Sequence, residues 1–197
     1  MSKKLVFATH NRHKLSELQM LLPESIQLVS LDDIGCVSDI PETSDTLEGN
    51  AEQKARYVSN TFQVPCFADD TGLLIDALGG EPGVRSARYA GEGKNAEDNM
   101  SLVLQRMEGK TNRSARFITS ICFMDGADKY FFEGRVEGEI LVEKSGNQGF
   151  GYDPIFRPNG FVKSFAEMSM EEKNNISHRA RAVAELVRFL TEKWVIS

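Results

Sequence analysis

Leu5-Val6-Phe7-Ala8-Thr9-His10-Asn11-Arg12-His13-Lys14 is the stretch on which the fold turns. Four consecutive apolar residues read as a buried first strand. A polar turn follows. Then Leu15, Leu18, Leu21 and Leu22 recur at helical spacing until Pro23, which stops the helix. Strand, turn and helix in that order predict an α/β fold.

The rest of the chain extends that reading. Ile26 to Leu31 predicts a second strand, and the acidic stretch 32–45 a turn-rich segment. Leu47, Ala51, Ala55, Val58 and Phe62 predict a helix from about Leu47 to Thr61, with Asn50 and Lys54 on one side of it. Val64 to Ala68 predicts a short strand ending at Asp69-Asp70-Thr71-Gly72, and Asn95 and Asp98 are candidate caps for a helix carrying Met100, Val103, Leu104 and Met107. From Ala115 to Glu143 two or three strands form an antiparallel meander, with turns at Asp125-Gly126 and near Gly134–Gly138. Ser169 and Glu172 form a capping box, and Ser177 caps a final helix striped by Val183, Leu186, Val187 and Leu190. The sheet is expected to be mixed.

Composition narrows the function. With 41% hydrophobic and 26% charged residues over 197 positions, the chain can build its own core. A net charge of −6 argues against a nucleic-acid polymer as partner, since such binders neutralise phosphates with a basic face. The three cysteines, Cys36, Cys66 and Cys122, form no CxxC or Cys/His pattern and suit a reducing, cytoplasmic setting. The apolar run after Lys3-Lys4 is too short for a signal segment, and no stretch reaches the length of a membrane span.

Five segments carry candidate chemistry. The turn at 9–14 opens a helix whose N–H groups accept phosphate, with Lys14 as a point charge; an ordinary strand–helix connection has the same outline. Asp69 and Asp70 offer oxygen ligands for Mg²⁺ and a means to position water, although Asp-rich tetrapeptides also cap turns. Glu42, Asn50 and Lys54 suit a metal–phosphate site, or a solvated helix face. In Gly149-Phe150-Gly151-Tyr152-Asp153-Pro154 the glycines allow close backbone approach and the rings offer a stacking surface for a base. Ser177-His178-Arg179 places cations in a first helical turn, where they are disfavoured unless an anion or electron-rich group is near; Lys173 adds to the cluster.

Taken in order, Phe7-Ala8-Thr9-His10-Asn11-Arg12-His13-Lys14, Phe67-Ala68-Asp69-Asp70-Thr71-Gly72-Leu73, Ser86-Ala87-Arg88-Tyr89, Gly149-Phe150-Gly151-Tyr152-Asp153-Pro154-Ile155-Phe156 and Ser177-His178-Arg179 resemble the Ham1-like inosine triphosphate pyrophosphatase family, the dITP/XTP pyrophosphatases. Two departures stand out: His10 where the family has glycine, and Thr71 where it has serine. The resemblance implies one α/β domain over residues 1–197, with an elongated mixed central sheet and flanking helices forming two lobes around a nucleotide cleft, and a homodimer. It implies hydrolysis of a purine nucleoside triphosphate (ITP, dITP or XTP) to the monophosphate and pyrophosphate, with no nucleic-acid polymer or membrane as partner. Asp70 and Lys54 take the catalytic roles, and Glu42 and Asp70 hold Mg²⁺. Substrate contacts fall to Thr9, His10, Asn11, Arg12, His13, Lys14, Thr71, Phe150, Gly151, Tyr152, Asp153, Lys173, His178 and Arg179. A Maf-type pyrophosphatase acting on pyrimidine nucleotides and a non-catalytic nucleotide-binding module are the alternatives.

Overall fold

The computed structural model describes residues 2–10 and 12–194, excepting the side chains of His13, Lys14 and Glu17. A six-stranded mixed sheet runs in the order β2-β1-β3-β4-β5-β6. Strand β1 (Lys3–Phe7) pairs in parallel with β2 (Ile26–Val29), Leu5 facing Leu28, and with β3 (Cys66–Ile75), Phe7 facing Phe67. Parallel neighbours need crossovers. These are α1 (Arg12–Gln19) and α2 (Leu47–Phe62). Strands β4 (Ser114–Asp125) and β5 (Asp128–Ile140) are joined by two residues, a connection only antiparallel strands allow. Strand β6 (Phe156–Pro158) runs antiparallel to β5, Ile140 facing Phe156. Helix α3 (Ala96–Arg106) precedes β4, and α4 (Met170–Asn174) and α5 (His178–Phe189) follow β6. Among the described residues no helix is long and apolar enough to cross a membrane.

By internal contacts the chain divides into two compact units. The first comprises Met1–Asp70, Ser120–Glu133 and Ala182–Ser197; the second comprises Thr71–Thr119 and Gly134–Arg181. Strand alternation gives the first unit two cores. Leu5, Phe7, Phe67, Ile121 and Phe123 point to one face and pack with Leu18 of α1 and Ala182, Val183 and Leu186 of α5. Val6, Ala8, Cys66, Ala68, Cys122 and Met124 point to the other and pack with Ala51, Ala55 and Val58 of α2. Phe7 stacks on Phe67 with centroids 4.5 Å apart, a contact that adds roughly 1 kcal/mol beyond its buried area. Burial pushes the Cys66 and Cys122 thiols up to about 12, so both behave as apolar core groups. The second unit has its own core, in which Met100 and Val103 of α3 and Met107 just after it meet Phe117, Ile140, Phe156 and Phe165.

The helices open as their sequences direct. The Thr46 side chain accepts from Gly49 N at α2, and that of Asn95 from Glu97 N and Asp98 N at α3. Ser169 and Glu172 exchange both capping-box bonds at α4, and Ser177 Oγ accepts from Ala180 N at α5.

Two expectations are corrected. Asp69-Asp70-Thr71-Gly72 does not end a short strand: β3 runs ten residues through it. Strand β4 lies beside β3 in the sheet, and Leu73 and Ile75 are fully buried, so the sheet overrides the turn propensity of the tetrapeptide. Nor is there a turn at Gly134–Gly138, because β5 continues to Ile140. Gly138 is there for space. A Cβ at this position would collide with the Arg157 carbonyl oxygen and the Phe156 ring on β6. At a smaller scale, α1 closes at Gln19, ahead of Pro23, and Leu21 N and Leu22 N then bond three residues back.

Candidate active site

In the first unit the chemistry gathers on one side of α2. Asn50 and Lys54 are one helical turn apart and reach successive residues of β3 by different means. Asn50 Nδ2 donates to Asp70 Oδ2 at 3.0 Å, whereas Lys54 Nζ donates to the main-chain oxygen of Asp69 at 2.6 Å. Side chains of adjacent strand residues point to opposite faces, so only one of the two aspartates presents its carboxylate to this helix; the bond pattern makes it Asp70. Lys54 also pairs with Glu42, and both are largely shielded, with side chains 14% and 31% exposed. The segment carrying Glu42 is tied down beside it. Ser44 N donates to Asn50 Oδ1 at 2.9 Å, and Thr43 N to Gln53 Oε1 at 3.0 Å. Glu42, Lys54 and Asp70 thus belong to one network through Asn50.

The donor set suits a hard divalent cation. Two carboxylates, Glu42 and Asp70, are oxygen ligands of the kind Mg²⁺ takes. Mg²⁺ is commonly held by one or two carboxylates together with substrate phosphates rather than by an all-protein cage. Among the described residues no group of three or more His, Cys, Asp and Glu is placed to hold a metal.

At the β1–α1 turn, Thr9 O accepts from Leu31 N at 3.2 Å. His10 Nδ1 lies 2.7 Å from Asp32 Oδ1, and Arg12 Nη2 donates to Asp33 Oδ1 at 3.1 Å. Ser30, through its N–H and hydroxyl, holds the Asp33 carboxyl below the usual range, with a smaller contribution from Arg12. His10 and Arg12 therefore lean on the 32–34 turn. The roles expected of Asn11 and of the His13 and Lys14 side chains lie outside the described residues.

The second unit holds the other constellation. Gly149 and Gly151 adopt left-handed φ of +77° and +61°. Any Cβ at Gly149 would strike the Asp153 carboxylate. That carboxylate closes the loop. Its Oδ2 accepts from Phe150 N at 2.8 Å and from Lys173 Nζ at 2.5 Å. The Lys173–Asp153 pair is buried, with side chains 10% and 4% exposed. The Lys173 ammonium also lies 4.5 Å from the Phe150 ring centroid, and the Arg179 guanidinium 5.8 Å from the same ring. Phe150 itself is 63% exposed. One aromatic ring is thus held in solvent with two cations against it, a surface suited to an electron-rich planar ligand.

His178 is buried and stacked on Phe117, centroids 4.7 Å apart and planes 16° from parallel. Tyr152 turns inward. Its hydroxyl donates to the Ser86 carbonyl at 2.7 Å, and burial raises the phenol well above its ordinary range, so it stays a donor. Ser86 Oγ in turn accepts from Leu73 N at 2.9 Å, which links the 83–88 turn both to β3 and to the glycine-rich loop. Thr71 and Thr119 pair through their hydroxyls at 2.8 Å. The supporting groups Thr43, Ser44, Gln53, Ser86 and Phe117 were not singled out individually from sequence, since each is an ordinary polar or core residue there.

A model of the Ham1 family matches residues 5–189. A dITP/XTP pyrophosphatase of Flavobacterium johnsoniae is 55% identical over 188 residues, covering 95% of this chain and 98% of the relative. One of Porphyromonas gingivalis is 53% identical, covering 95% and 97%. Among solved structures, the Ham1 protein of Staphylococcus aureus superposes with a TM-score of 0.92 at 37% identity, covering 96% of this chain and 98% of that one. The Ham1 protein of Coxiella burnetii gives 0.92 at 39%, covering 96% and 99%. The fold, the ordered motifs and these matches agree: the chain belongs to the Ham1 family.

Proposed function

We propose that this protein is a nucleoside-triphosphate pyrophosphatase that converts ITP, dITP and XTP to the monophosphate and pyrophosphate. The observation that carries the reading is the network in which Asn50 holds Asp70 while Lys54 holds Glu42 beside it. A carboxylate fixed next to a second carboxylate and an ammonium is what water-mediated cleavage of a phosphoanhydride needs, because such catalysis rests on positioning and charge neutralisation.

In the proposed reaction Asp70 orients a water and accepts its proton as the oxygen bonds to the α-phosphorus. The bond from that phosphorus to the bridging oxygen breaks, and pyrophosphate leaves. Glu42 and Asp70 would hold Mg²⁺, which when bound would offset charge on the phosphate oxygens. Lys54 places its ammonium at the same end. Thr9, His10, Asn11, Arg12, His13, Lys14 and Thr71 take the remaining triphosphate contacts.

The base falls to the second constellation. Phe150 stacks on the purine. Lys173, His178 and Arg179 supply donors for the 6-oxo group of hypoxanthine or xanthine, while Gly151, Tyr152 and Asp153 shape the loop. Adenine presents a 6-amino donor instead and would leave those donors facing another donor, a mismatch that costs roughly 1–3 kcal/mol per buried group. The free cysteines Cys36, Cys66 and Cys122 support a reducing, cytoplasmic setting. Family membership supports a homodimer.

Pyrophosphate release from ITP, dITP, XTP, ATP, GTP and dUTP, with and without Mg²⁺, tests the proposal. The first three are expected to be fast and Mg²⁺-dependent, with ATP and GTP slow. A preference for dUTP would contradict the base assignment, and no release from any substrate would contradict the chemistry.

A further inference from the structure

We infer that Asn50 is a positioning residue for catalysis: it orients the Asp70 carboxylate and, through the same amide, anchors the segment that carries Glu42. The inference rests on the reading of Asp70 given under Proposed function. A fully buried asparagine inside a helix is uncommon, because the amide must find partners and its helix propensity is below that of alanine. Ala51 and Ala55, on the adjoining buried side of α2, are small and fully buried, so packing alone would be met by an apolar residue. Both ends of the Asn50 amide are instead committed. Ser44 N–H can only donate, so Oδ1 faces it, at 2.9 Å. The Asp70 carboxylate accepts, so Nδ2 faces it, at 3.0 Å. The amide orientation is therefore fixed by its surroundings, and with it the donor that meets the Asp70 carboxylate.

The bond to Ser44 extends the effect. Ser44 lies two residues from Glu42, and the same segment is held by Gln53 through Thr43. A Cβ on Gly49 would collide with the Ser44 side chain, so this segment lies directly against the helix. One side chain thus couples Asp70 to the placement of Glu42 without touching the reacting atoms. Groups that orient catalytic carboxylates in this way commonly cost about 10- to 100-fold in activity when removed.

The experiment compares the wild type with Asn50→Ala, Asn50→Asp and the exchanged pair Asn50→Asp/Asp70→Asn, by thermal melting and by ITP turnover. Asn50→Asp keeps an acceptor for Ser44 N–H but sets an oxygen against Asp70. In the exchanged pair the amide at position 70 donates to the carboxylate at position 50, and the bond returns with reversed polarity. Both single variants are expected to melt lower than the wild type, and the exchanged pair to recover at least about half of the loss seen in Asn50→Asp, since residues in contact are not additive. Folded Asn50→Ala is expected to lose about 10- to 100-fold in kcat, with KM for ITP within about threefold of wild type. Wild-type kcat in that variant overturns the inference. So does an exchanged pair that melts no higher than Asn50→Asp. Melting requires no turnover. A wild type that releases no pyrophosphate would therefore remove the functional reading while the Asn50–Asp70 coupling is still judged.

Discussion

Lys173 carries a charge into the protein interior, and Asp153 is the reason it can. An ammonium 10% exposed requires a partner, and the Asp153 carboxylate at 2.5 Å supplies one while also closing the loop onto Phe150 N. The two residues should therefore separate in their effects from Phe150. Asp153→Ala strands the buried charge and is expected to cost about 3–5 kcal/mol in urea unfolding. Phe150 is largely exposed, so Phe150→Ala should change stability by less than about 0.5 kcal/mol. The same variant should raise KM for ITP roughly tenfold, the scale of a lost base stack. An unchanged KM would remove the ring from base recognition. At this scale the sequence was informative where spacing constrains geometry: Asn50 and Lys54, four apart, do meet adjacent residues of β3. It was silent on Tyr152, since nothing local says whether a tyrosine in a glycine-rich loop turns its hydroxyl to a ligand or, as here, to the Ser86 carbonyl. Lys173 was equally opaque, because its burial depends on Asp153, twenty residues away.

Elements were legible where periodicity was strong. The apolar stripe of α2 and the capping signals of α3, α4 and α5 read through to the structure because each is decided within a few residues. Strands β3 and β5 were cut short for one physical reason. Glycine and aspartate signal turns locally, but a strand within a sheet is held by neighbours distant in sequence. Gly138 shows the alternative use of glycine, as clearance for an adjacent strand. Gly138→Val should destabilise the protein by about 1–3 kcal/mol through overpacking against Arg157 and Phe156. Gly93→Val, where nothing lies within 4 Å of an added Cβ, should stay within about 0.5 kcal/mol. Urea unfolding of the pair checks this, and equal effects would contradict the clearance role.

For the molecule as a whole, each motif was weak and their order was not. Segments far apart in sequence supply each unit: residues 1–70, 120–133 and 182–197 the first, 71–119 and 134–181 the second. No window of sequence could show that grouping, but the ordered set of five motifs pointed to the Ham1 family, whose model covers residues 5–189. The side-chain networks that support the site, such as Thr43 and Ser44 on α2, became visible only with the fold. In the proposed reaction Asp70, held by Asn50, activates water for cleavage at the α-phosphorus. The most direct test of this step is pyrophosphate release from ITP by the wild type and by Asp70→Asn, with melting curves for both. An amide oxygen at position 70 can still accept from Asn50, so the variant should fold normally. It should nevertheless lose about 10²- to 10⁴-fold in kcat, as expected when a general base is removed. A folded Asp70→Asn that releases pyrophosphate at close to the wild-type rate would contradict the account.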